Sequence, residues 1–378
     1  MNLRLLVVVI AMNLGQLPVA MRPLLVTLLG SHVTGSFAVA GLAGGAAAVG
    51  MAVTSPWWSR ALARFGDRRV LTVSCALFLV AQAALITARA PAAFVGVAAL
   101  SGLCTPPAAS SVRALLARLA PGERTRGYAV NAVAMETVYI AGPLWVTAWT
   151  ALADPVVAVL ATAACGALAL AVAVPSVATG PHAPTPRGEP NTRPHALPVV
   201  RTLAGTYLGY WICMGAMWVL VPAFAQHSGQ PGQAGVLVAI WSVGSLVGGL
   251  ALVARPPRLP LRTTYLALLA VLTLTSLPLA LPSGVTPMAV AIGGFGLALS
   301  PWLATGDQVV AAAVGEQRSA EVYGWLTTVG QLGGALGSAL AGPLGDRHGG
   351  GPAFLLVTAA LAVALVFALT RRQTLPTR

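Results

Sequence analysis

Arg22, Arg113, Glu136 and Asp307 each stand inside a long apolar stretch of the sequence. Placing an ionised side chain in hydrocarbon costs at least about 2.5–3.5 kcal/mol, so each of these four needs a partner or a task. Arg113 and Glu136 lie on consecutive stretches joined by a short polar loop. In helical geometry they sit about 9 Å and about 15 Å from the end that the two stretches share. A long guanidinium side chain spans that difference in depth. The pair is either a static tie between two helices or one whose carboxylate takes up and releases a proton. Asp307 offers a third arrangement, pairing with Arg113 across a cavity as a gate. Arg22 falls between Pro18 and Pro23, in the last third of its stretch. There it either meets an anionic group or extends its head toward polar headgroups.

Uncharged candidates accompany these four. Asn13 and Gln16 are three residues apart and share one helical face, which suits ligand contact or helix–helix hydrogen bonds. Tyr207, Trp211 and Trp218 recur at helical spacing, and Trp302 and Trp325 add aromatic rings in later stretches. They either wall a cavity for a bulky, partly apolar molecule or serve as ordinary packing and interfacial rings. Enzyme signatures do not appear: there is no His-Glu-x-x-His, no Gly-x-Ser-x-Gly and no phosphate loop. Cys75, Cys104, Cys165 and Cys213 are buried in apolar runs without metal-ligand spacing and read as small fillers. No metal, no cofactor and no catalytic residue is expected, and the chain does not read as an enzyme.

The elements that carry these residues follow from composition. Of 378 residues, 57% are hydrophobic and 8% charged, whereas a soluble chain carries roughly 25% charged residues. Most of the surface must therefore face lipid. The net charge of +13 comes from 22 arginines, but they are scattered in short clusters rather than gathered on one basic face, so no nucleic-acid partner is expected. Spanning a bilayer takes about 20 apolar residues in a helix. Twelve such stretches occur: 5–29, 36–54, 70–87, 92–119, 127–150, 156–177, 202–225, 234–253, 263–281, 288–314, 322–344 and 352–369. The first resembles a signal peptide but lacks a clean cleavage site, and reads as a retained helix. A proline-rich polar segment, 178–198, separates residues 1–177 from 199–378 and reads as a linker between two six-helix bundles. Placing the N-terminus in the cytoplasm puts 19 of the 22 arginines on the cytoplasmic side, which fixes both termini and the linker there.

The two bundles repeat in parallel. Ala40-Gly41 and Val49-Gly50 match Ala234-Gly235 and Val243-Gly244. At an offset of 195, Pro106 matches Pro301, Tyr128 matches Tyr323 and Gly142 matches Gly337. Arg113 then maps onto Gln308 and Glu136 onto Gln331, so positions 113 and 136 face protein or a polar cavity rather than lipid. Two six-helix repeats in one orientation describe a transporter with its site between them.

On these features the chain resembles the major facilitator superfamily over nearly its whole length. The family's loop between helices 2 and 3 carries a signature that Arg64, Gly66, Arg68 and Arg69 match, with Ser59 for its first Gly, Ala63 for its Asp and Asp67 where an Arg is usual. Gly142-Pro143 in helix 5 resembles the drug and metabolite exporters of that family, although Ala98 stands where they often carry an Arg. The resemblance implies an all-α membrane protein of twelve transmembrane helices in two pseudo-symmetric bundles. It also implies alternating-access efflux of a small organic molecule, with protons as the candidate coupling ion and helices 1, 4, 7 and 10 lining the cavity. The alternative is a nutrient importer or facilitator of the same fold. The expected setting is the inner cell membrane, multi-pass, with lipid and a small-molecule substrate as partners and the chain acting as a monomer.

The repeat makes the Arg113–Glu136 reading testable. Removing one member of a buried pair strands the other at about 3–5 kcal/mol, whereas two amides hydrogen-bond without charge. Arg113→Gln and Glu136→Gln are each expected to lower the folded yield, and the double variant to recover most of it. Additive losses, read by size-exclusion chromatography of the solubilised protein, would point instead to Asp307 as the partner of Arg113.

Overall fold

The computed structural model describes residues 3–117, 121–176, 197–255, 257–349 and 351–376. Within those helices the side chains at 3–5, 63, 113–114, 117, 121–126, 128–129, 132, 176 and 315–321 lie outside the description. Among the described residues every regular element is helical. Ten helical segments are long and apolar enough to cross a membrane. The two other expected spans, 127–150 and 322–344, are also helical, but Asn131, Glu136, Gln331 and several Gly and Thr residues dilute their apolar character. Large apolar side chains stand bare on the outer helix faces, as with Val253 at 80% and Val290 at 76% exposed. Rows of such side chains are at rest only against lipid, so the chain is a multi-pass membrane protein.

The chain divides into two compact units, Met1–Thr185 and Pro186–Arg378. The boundary falls in the expected linker, 178–198, most of which lies outside the described residues.

The first unit begins with a span in three pieces: α1 (Leu3–Leu14), α2 (Leu17–Ala20) and α3 (Arg22–Thr34). Pro18 and Pro23 bring no N–H to the helix ladder, which breaks it at these places. Gly35, at φ +69°, ends α3, and Ser36 caps α4 (Phe37–Phe65) by accepting from the Val39 N–H. Only a residue at ease in the left-handed region stops a helix this way. Gly66, at φ +80°, turns the chain into α5 (Asp67–Thr87), which accounts physically for the one glycine of the loop signature. The buried Asp67 carboxylate sits at the positive end of α5, while Arg64, Arg68 and Arg69 are exposed. The fourth span is broken too, into α6 (Pro91–Leu103) and α7 (Ala108–Ala117), across Pro106 and Pro107. The unit is completed by α8 (Pro121–Leu152) and α9 (Pro155–Ala173), the latter capped by the Asp154 carboxylate. Its core includes Val9, Met12, Leu71, Val112, Leu116 and Leu170.

In the second unit α10 (Pro198–His227) is the central helix: 78% of its apolar window is buried, against 33–50% for the unit's other spans. Around it lie α11 (Ala234–Ala254), α12 (Leu261–Ser276), α13 (Val285–Gly296), α14 (Leu299–His348) and α15 (Leu355–Thr370). Helical hydrogen bonding runs through all of α14, yet it is not a straight rod. Gly306 and Gly333 lie against adjacent residues of α10, Tyr207 and Leu208, and twenty-seven residues of straight helix would hold the two about 40 Å apart. The chain therefore folds back between them: the first limb completes the expected span 288–314 that α13 begins, and the second matches 322–344.

Glycines set the close approaches in both units. Gly50 faces the Ala99 carbonyl in the first, and Gly244 faces the Gly293 carbonyl in the second, so the repeat seen in sequence recurs as equivalent packing of α4 on α6 and α11 on α13. A Cβ at Gly337 would run into the Ile212 carbonyl of α10, whereas one at Gly324 would meet nothing. Gly337→Ala is therefore expected to destabilise the protein by about 1–3 kcal/mol. Gly324→Ala should leave stability within about 0.5 kcal/mol; thermal unfolding in detergent separates the two.

Candidate functional site

The two broken spans of the first unit meet through one side chain. Arg22 opens α3, and its Nη2 donates to Thr105 Oγ1 at 2.6 Å, inside the break of the fourth span. Thr105 Oγ1 in turn donates to the Gly102 carbonyl at 2.7 Å, a group that the break has released from the helix ladder. The guanidinium carbon lies 5.7 Å from the centroid of Phe78 on α5. The residue is 6% exposed, its Nε has no partner, and among the described residues no carboxylate faces it. Arg22 lies within its span, Leu6–Thr34, and its burial shows that it points into the bundle. A ring contact of this type contributes about 0.5–2 kcal/mol, less than the cost of burying the charge.

A second polar group ties α1 to α8. Asn13 Nδ2 donates to Asn131 Oδ1 at 3.0 Å and to the Val9 carbonyl at 2.8 Å, and Gln16 Nε2 donates to Asn13 Oδ1 at 3.4 Å. The face shared by Asn13 and Gln16 is thus a hydrogen-bonded one. Beside it runs a groove of about 530 Å³, walled by Leu6, Ile10, Leu14, Val130, Val133 and Thr137 with Asn13 at its floor. Glu136 is exposed on α8, next to Thr137 of the groove wall. The Arg113 side chain, and with it the expected Arg113–Glu136 pair, lies outside the described residues.

The tyrosines and tryptophans of the second unit gather mainly in two places. Trp302 is fully buried, and its ring centroid lies 5.5 Å from Tyr207, 4.9 Å from Tyr210 and 5.5 Å from Tyr265. Tyr265 shares a 2.7 Å hydrogen bond with Thr206. Trp211, half-buried, packs edge-on to Tyr210 and against Gly330 and Gly333. Trp218 belongs elsewhere, paired with Trp241 at 5.4 Å, and Trp325 is exposed. Asp307 and Gln308 are exposed on the first limb of α14, and the half-buried Gln331 keeps an unpartnered Nε2 on the second. The sequence reading missed Thr105, Asn131, Tyr210 and Tyr265. Asn131, an amide five residues before Glu136 in an apolar stretch, carried the signal that could have found it.

Asn13 makes the amide network separable by mutation. Asn13→Leu strands Asn131 and Gln16, and is expected to cost on the order of 1 kcal/mol. The double variant Asn13→Leu/Asn131→Leu should cost less than the sum of its parts in a thermal-unfolding cycle, whereas additivity would deny the coupling.

The chain matches the family described as Major Facilitator Superfamily over residues 5–338. No curated protein matches its sequence. Among solved structures, a variant of the nucleoside transporter NupG aligns with a TM-score of 0.73 at 12% identity, over 99% of this chain and 100% of that one. A bacterial homologue of the iron transporter ferroportin, in an inward-facing state, gives 0.73 at 14%, over 98% and 100%. The human organic anion transporter MFSD10 gives 0.65 at 17%, over 97% and 100%. At these identities the likeness is one of fold.

Proposed function

Because the chain belongs to the Major Facilitator Superfamily, we propose that it is a secondary-active transporter that carries a small organic molecule out of the cell by alternating access. The groove between α1 and α8 is the observation that carries this reading. Its volume of about 530 Å³ falls in the range of small-molecule sites, about 300–1,000 Å³, and its almost wholly apolar walls suit an apolar part of the molecule carried. The two broken spans support it as well, because irregular backbone at membrane depth is kept where it lines a cavity or is buried in protein. Gly142-Pro143, the exporter-like pair, lies where α8 presses on Met21 at the break of the first span. The exposed carboxylates Glu136 and Asp307 are the groups available to carry a coupling proton, with Gln331 and Gln308 their uncharged or neighbouring counterparts. In this reading the protein works as a monomer in the inner membrane, with both termini in the cytoplasm and neither enzyme chemistry nor nucleic acid involved.

Everted membrane vesicles with an acid interior, prepared with and without the protein, test the proposal against a panel of labelled drugs and metabolites. Protein-dependent accumulation that a protonophore discharges is the expected outcome. Accumulation confined to right-side-out vesicles would make the protein an importer. No protein-dependent flux in either orientation would remove the transport reading.

A further inference from the structure

Arg22 is a fixed positive charge buried within a membrane span, and the structure gives it much less than a charge in that place requires. A guanidinium offers five N–H donors in a planar fork that matches carboxylate and phosphate oxygens. Here one donor reaches a neutral hydroxyl, the ring of Phe78 covers part of one face, and the buried Nε has no partner. Among the described residues no carboxylate supplies the missing charge. Its two partners are no nearer to water than it is. Thr105 stands well inside the span Pro91–Val112, and Phe78 is near the middle of Asp67–Thr87.

The surroundings also favour an anion. Arg22 is the first residue of α3, a thirteen-residue helix whose positive end faces the break in the first span, and discontinuous helices in transporters present such ends to anionic groups. The Arg22–Thr105 bond joins that break to the one in the fourth span, so the two places where backbone leaves helical geometry meet at the charge. The small void nearby, walled by Pro18, Phe78 and Pro106 but by neither Arg22 nor Thr105, measures about 10 Å³, room for about one water. A larger group enters only as the breaks part.

We infer that Arg22, whose guanidinium Thr105 occupies, is the anion subsite of the transport site, and that the molecule carried bears a carboxylate or phosphate head that supplies the missing counter-charge. The inference rests on the transport reading above and adds the class of substrate to it.

Thermal unfolding of the purified full-length protein in detergent tests it, with sodium benzoate, sodium acetate and sodium phosphate as probes against sodium chloride of equal ionic strength, and neutral benzamide as the isostere. Benzoate or phosphate is expected to raise the midpoint of the wild type above its value in chloride, and benzamide is not. In Arg22→Gln the affinity taken from the concentration dependence should fall by roughly tenfold or more, while Arg22→Lys retains part of it. If Arg22→Gln does not fold, Thr105→Val keeps the charge, removes its protein partner and should respond to the anions more strongly than the wild type. Equal anion shifts in wild type and Arg22→Gln would overturn the inference. So would the absence of any anion shift in the wild type, or no greater response in Thr105→Val. Anion binding without flux in vesicles would remove the transport reading and keep the subsite. Flux with no Arg22-dependent binding would do the reverse.

Discussion

Lipid offers no hydrogen bonds, and this constraint shapes the first unit more than any other. Wherever a helix ladder is interrupted at membrane depth, the released groups must find partners inside the protein. Pro18, Pro23, Pro106 and Pro107 interrupt two ladders. The repair is a short chain of bonds from Arg22 to Thr105 to the Gly102 carbonyl. The same economy governs Asn13, which satisfies its own amide between the Val9 carbonyl and Asn131 and so fastens α1 to α8. Bundle geometry and polar chemistry are therefore a single problem here, because the groups that close the backbone are also the groups that line the interior.

The second unit meets the constraint differently. Its central helix is unbroken, and its hydroxyls are tucked among rings: Tyr265 against Thr206, with Trp302 stacked among three tyrosines. The repeat has kept the small-residue contacts of α4 on α6 and α11 on α13 while the interiors diverged, one toward charge and amides, the other toward aromatic bulk. A shared backbone plan with unlike linings suits a protein in which the two halves take different parts.

Most of the fold was legible in the sequence, because a span announces itself by apolar length and its ends by Gly, Pro and Arg. The expected 70–87 and 156–177 correspond closely to α5 and α9. The first span shows where the signal failed. Apolar character fades at Leu29, but His32 and Thr34 continue the helix until Gly35 stops it at φ +69°. That extension puts one more helical turn between Arg22 and the end of its span. The aromatic face failed for another reason. Tyr207 and Trp218 share a helical face, yet eleven residues separate them by about 16 Å along the axis, so they meet different neighbours. The Arg22–Thr105 bond, between residues 83 apart in sequence, is tertiary, and no local pattern announces it.

The enclosure of α10 also orders the making of the protein. Gly205 and Gly209 receive Phe367 and Ala364 of α15, and Thr202 pairs with Thr374 just beyond it at 2.8 Å. The helix synthesised first in this unit is thus covered by the one synthesised last. Until that last segment is in place, the Thr202 hydroxyl has the Pro198 carbonyl of its own helix but not Thr374. Packing of α10 is consequently complete only once α15 lies against Gly205 and Gly209, so the unit's first helix depends on its most distant neighbour in sequence.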